Sequence, residues 1–203
     1  MKRNAKEISA AGIAITVARL NKRTKTKERK MNELLAIDPG NTESGYCIID
    51  SETYKPIQCG KVENRCIESF LWLWVTGKDR IEVKQVVIEM IASYGMAVGR
   101  EVFDTCVEIG RLSMLADLSG TQRDYIYRKD EKLTICGSPK ANDANIRRAL
   151  IDRFAKHDLK NGKGTKDNPD WFYGFKTDIW AAYAVGVTWL DMMEEARKKW
   201  NSI

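Results

Sequence analysis

Three acidic residues, Asp38, Glu89 and Asp178, stand in settings that suit chemistry on phosphate. Leu34-Leu35-Ala36-Ile37-Asp38 is an apolar run of strand length that ends on a carboxylate. Pro39-Gly40 turns the backbone there instead of letting the ladder continue. Gln85-Val86-Val87-Ile88-Glu89 repeats the construction with β-branched residues. Asp178 opens a stretch of small and apolar residues at helical spacing, so it falls in the first turn of a helix. A charge at the tip of a buried strand is costly unless paired, and a divalent cation is a usual partner. Oxygen-only ligands suit Mg²⁺ or Mn²⁺ rather than zinc. Two such ions about 4 Å apart, clamped by carboxylates, are the apparatus of in-line phosphodiester hydrolysis. Each acid also has a plainer use, as turn opener, surface charge or helix cap. The order strand-Asp, strand-Glu, helix-Asp in one chain favours a shared metal site.

The elements that must hold these acids read as a mixed α/β order. Strands are predicted at 34–38, 45–50 and 56–62, a helix at 66–76, the glutamate strand at 85–89 and a long helix over 98–115. Two short strands, 125–127 and 133–136, are predicted around a charged turn. A helix through Ile146, Leu150 and Phe154 follows, capped by Asn142 or Asp143. Residues 158–174 read as a mobile loop and 177–200 as the final helix.

Ile37-Asp38-Pro39-Gly40, Val87-Ile88-Glu89 and the Asp178 helix start resemble the acidic motifs of the RuvC family of Holliday junction resolvases, within the RNase H-like nucleases. The chain resembles a phage-type member, over about Asn32 to Asp191. Gly99–Leu115 fits the long helix that follows the glutamate strand in that family. The segment from Ser138 to Arg148 resembles its Lys-bearing lead into a helix. The resemblance implies an RNase H-like fold, a mixed central sheet flanked by helices. It implies Mg²⁺ (or Mn²⁺), two ions, as cofactor, with Asp38, Glu89 and Asp178 as catalytic and metal-binding residues. It also implies resolution of four-way DNA junctions by paired nicks from a homodimer.

There is one departure. The family closes its site with two ligands three residues apart, and here only Asp178 is present. If Asp178 matches the second ligand, Phe175 stands at the first; if it matches the first, Ala181 stands at the second. Asp143 is a candidate fourth acid, for which an N-cap role is simpler. Two other functions stay open. One is a broader nuclease on branched DNA or RNA/DNA hybrids; the other is a junction-binding protein with a degenerate metal site.

Lys140, Arg147 and Arg148 cluster at a helix start, where backbone N–H groups also favour phosphate, and are the candidate DNA contacts. Lys160, Lys163 and Lys166 form a second basic cluster before the Asp178 helix. Tyr94, in the loop after Glu89, is placed to stack on an unpaired base. The plainer readings are solvated surface charge for the cations and core packing for Tyr94.

Residues 1–30 hold ten Lys/Arg and two Glu, a net of +8, whereas the remaining residues carry a net of −2 within the overall +6. The division expected is a basic N-terminal extension over 1–31, a candidate phosphate-binding arm, and a nuclease domain over 32–203. Five cysteines, odd in number and without C-x-x-C spacing, argue against disulfides and structural zinc. With no apolar run near the roughly 20 residues that span a bilayer, the expected location is cytoplasmic (the host cytosol if phage-encoded).

Overall fold

Alternation within one strand sets the architecture. In β1 (Glu33–Asp38), Leu34 and Ala36 project to one side and Leu35 and Ile37 to the other, and all four are buried. A strand apolar on both sides must lie inside a sheet covered on both faces. The computed structural model, which describes residues 33–76, 83–93, 95 and 97–202, has that arrangement. The extension over 1–31 and Tyr94 lie outside the described residues.

β1 pairs antiparallel with β2 (Glu43–Asp50), which pairs antiparallel with β3 (Pro56–Glu63). On its other edge β1 pairs parallel with β4 (Val83–Met90), and β4 pairs parallel with β5 (Gln122–Tyr127), giving the order β3-β2-β1-β4-β5. Parallel neighbours need crossovers, and helices supply them. α1 (Asn64–Val75) lies between β3 and β4 in the chain, and α2 (Arg100–Leu118) between β4 and β5. Both helices cover one face, where Ile67, Leu71, Trp74, Ile109 and Leu112 bury against Leu35, Ile37 and Ile88. The other face, with Leu34, Ala36, Ile49 and Val87, packs on α4 (Asp143–Phe154) and α5 (Thr177–Asn201). α5 crosses the sheet closely: a Cβ on Gly186 would lie 2.4 Å from Ile49 Cδ1 and 3.0 Å from the Ala36 Cβ.

The predicted strands and long helices are present, with shifted ends, and three expectations fail. Residues 133–136, predicted as a strand, are the end of α3 (Arg128–Cys136), and the charged turn before them is its first turn. Asp130 accepts a hydrogen bond from the Tyr127 N–H (3.2 Å), and Gly137 (φ 65°) closes the helix in the left-handed region. These end signals outweigh the β preference of Thr134 and Ile135.

The second correction concerns the thiols. Cys47 and Cys59 are direct partners across β2 and β3, with Cα atoms 4.2 Å apart, and are joined as a disulfide. Sheet register makes that pair, and spacing in the sequence does not reveal it. Third, the segment 158–174 is knitted together rather than loose. The buried Asp170 carboxylate accepts from the N–H groups of Lys156, His157, Asp158 and Trp171. Burial works to raise this acid, but those bonds dominate and hold it well below the usual carboxylate range. Among the described residues no helix is long and apolar enough to cross a membrane.

Candidate active site

Asp38 and Glu89 come together because β1 and β4 are parallel neighbours. Ile37 is the partner of Ile88, so the next step along both strands sets Asp38 beside Glu89. Period-two alternation sends both acids to the face of Ala36 and Val87, the face covered by α5. Gly40 closes the turn after Asp38, where a Cβ would lie 2.3 Å from the Glu43 carbonyl oxygen.

The first turn of α5 brings Asp178 to the same end of the sheet. Gly45 is the partner of Asp38, and a Cβ on Gly45 would lie 2.4 Å from the Asp178 carbonyl oxygen. A bare backbone at that position is what lets the helix start dock beside β1. Asp38, Glu89 and Asp178 line one cavity of about 550 Å³, together with Arg128 and Asp143. A second hollow of about 440 Å³ shares Asp38, Glu89 and Arg128 and reaches Glu101 and Thr105 of α2. The Asp178 carboxylate is bound to Lys61 Nζ (3.1 Å), which also holds Glu43 (3.0 Å). Among the described residues no three acids already form a ligand cage for one ion.

Burial dominates the electrostatics. It raises the Asp38 carboxyl from its ordinary 3.8 to about 8, helped by the neighbouring charge of Glu89, to which Asp38 is hydrogen-bonded. Burial likewise raises Glu89 to about 7, with the Glu131 charge adding to it. Glu131 itself, on α3, is fully buried and also raised to about 7. Arg128 faces these acids and binds Glu131 (2.5 Å) and Asp143 through its guanidinium. Sequence reasoning missed Glu131 and Arg128, because they fall in the segment read as a charged turn between two short strands. The available signal was the i,i+3 Arg-Glu pair directly after a strand.

The other candidates divide. Arg147 lines the cavity and lies 4.9 Å above the Trp180 ring. Lys140 is exposed in the turn before α4. Arg148 is engaged by Asp152 and donates to the Leu159 carbonyl (2.9 Å). Asn142 takes the α4 cap, accepting from the Asn145 N–H (3.0 Å), which leaves Asp143 to Arg128. Phe175 is buried against Phe172 and Trp180, and Ala181 lines the cavity, so neither position supplies a donor side chain near Asp178.

The solved structure of Thermus thermophilus RuvC superposes with a TM-score of 0.60 at 14% identity, covering 81% of this chain and 96% of that one. The chain has the RuvC fold. T. thermophilus RuvC in complex with Holliday junction substrate shares it, with a TM-score of 0.58 at 13% identity over 80% and 95% of the two chains. So does the yeast mitochondrial Holliday junction resolvase Ydc2, with a TM-score of 0.53 at 13% identity over 91% and 87%. No family model matches the sequence, and no curated protein does either. The likeness to RuvC is therefore one of backbone, and residue roles rest on this chain's own site.

Proposed function

We propose that the chain is a metal-dependent endonuclease that resolves four-way DNA junctions by paired nicks. The observation that carries this reading is the side-by-side placement of Asp38 and Glu89 on parallel strands, in one cavity with Asp178. The fold is that of a resolvase solved on a Holliday junction, which supports the choice of substrate.

An all-oxygen donor set of clustered, buried acids suits a hard divalent cation, whose charge would offset the cost of ionising them side by side. Mg²⁺ or Mn²⁺, two ions in this reading, would supply water activation and charge neutralisation at phosphorus. The chain's own contribution is positional. Asp38 and Glu89 sit on rigid strand ends and fix where a phosphate must lie. Asp178 joins them from the helix start once its contact with Lys61 is exchanged. Lys140, Arg147, Arg148 and Tyr94 are the proposed DNA contacts.

A homodimer is part of the proposal, because paired nicks need two sites. Phe103, Val107, Met114 and Leu118 support it, forming one exposed apolar face of α2. Leu118 is 70% exposed, which a lone globule gains nothing from. Sedimentation at micromolar concentration should report a dimer, and Phe103→Glu should shift it toward monomer.

The deciding experiment is cleavage of a labelled mobile four-way junction in Mg²⁺ and in Mn²⁺. Asp38→Asn should keep junction binding and lose cleavage by roughly a hundredfold or more. Normal cutting by that variant would sink the assignment. The ion pair between Asp178 and Lys61 favours a second reading, a junction-binding protein with an incomplete metal site. Tight four-way-selective binding with no nicking in either metal would select it.

A further inference from the structure

Glu131 is a fully buried glutamate that the proposed mechanism does not use. Its Oε2 takes the guanidinium of Arg128 at 2.5 Å. Its Oε1 is buried and receives no N–H or hydroxyl donor, which leaves the neighbouring carboxyl of Glu89 as the group it meets. The polar group that Glu131 faces besides Arg128 is the carboxyl of Glu89, which in turn meets Asp38. A carboxylate oxygen turned toward other carboxyls is a poor choice for stability, since an apolar side chain of that size would cost less there. Such an arrangement is suited to a ligand that brings positive charge.

Local structure explains how the acid arrives. Glu89 is the partner of Ile126, β5 ends one residue later at Tyr127, and α3 begins at Arg128 with no linker. The three-residue step from Arg128 to Glu131 puts both on the helix face beside Glu89. On the Asp178 side of the cavity, buried Phe175 just before α5 and Ala181 within it leave Asp178 without a second acid three residues away. Arg128 also has an alternative partner, because it already binds the exposed Asp143.

We propose that Glu131, from α3, completes the metal-binding acid set. Arg128 is its resident cation, shifting onto Asp143 when a divalent ion takes the Glu131 carboxylate. This rests on the reading that Asp38 and Glu89 hold metal.

The test is Mn²⁺ binding to the full chain without DNA, read as the loss of the free-ion signal in electron paramagnetic resonance. Glu131→Gln keeps the volume and an oxygen for Arg128; a merely structural glutamate would lose stability by it but not Mn²⁺ affinity. We expect Glu131→Gln to weaken Mn²⁺ binding about tenfold or more, Glu131→Asp to recover part of it, and Arg128→Gln to tighten it. Circular dichroism confirms that each variant is folded. Wild-type affinity in Glu131→Gln, with binding lost in Asp38→Asn, overturns the role of Glu131 and leaves the metal site standing. Unchanged affinity in both variants overturns the site itself. Unchanged or weaker binding by Arg128→Gln overturns the exchange.

Discussion

At the scale of residues, the acid centre of the metal-free protein is a store of protons. Burial and the charge of neighbouring acids raise Asp38 to about 8 and Glu89 to about 7, from ordinary values of 3.8 and 4.5. Between those limits the folded chain binds more protons than the unfolded one, so stability is full at low pH and is lost as pH rises. Glu108, buried between α1 and α2 against Glu68, is raised to about 7 and adds to the same trend. Thermal melts without metal should therefore show the transition temperature falling from about pH 5 to about pH 8. Asp38→Asn should flatten that fall and melt higher at the alkaline end. Added Mn²⁺ should restore more stability at about pH 8 than at about pH 5, because its ligands must be deprotonated. A transition temperature flat across this range would contradict the burial argument.

At the scale of elements, the site depends on how closely α5 can dock. Gly45→Ala would drive a methyl group into the Asp178 carbonyl, since that Cβ position is 2.4 Å from the oxygen. The expected result is a folded protein destabilised by about 1–3 kcal/mol, with cleavage reduced more than junction binding. Denaturant melts and a junction assay read the two effects separately. Wild-type cleavage by this variant would mean that Asp178 is not placed by the contact.

The same scale explains what could be read in the sequence. The strand tips of β1 and β4 were legible because long apolar runs end abruptly on acids, and the α5 start because small residues follow Asp178 at helical spacing. Leu133 to Cys136 misled because their β-branched members suggest a strand. The deciding signals were instead a cap at Asp130 and a left-handed Gly137. Glu131 was illegible for the same reason: in a turn it would be solvated, and only the helix folds it inward. The Cys47–Cys59 pair depends on the register of β2 against β3, which no local spacing encodes.

At the scale of the whole molecule, charge is divided between a basic extension and a body with a net of −2. If the extension is a phosphate-binding arm, neutralising Lys22, Arg23, Lys25 and Lys27 to Gln should weaken junction binding. Each lost phosphate contact should flatten the plot of log affinity against log salt by about 0.9. An unchanged slope would remove the arm from the interface. One further consequence follows from α2. Its first turns supply Glu101 and Thr105 to the wall of the acid hollow, while its outward side carries Phe103, Val107, Met114 and Leu118. A helix of 19 residues is a stiff rod of roughly 28 Å. Any tilt that a second subunit imposed on its outer side would be felt at the hollow without a relay, so assembly and timing of the cut would share a single lever.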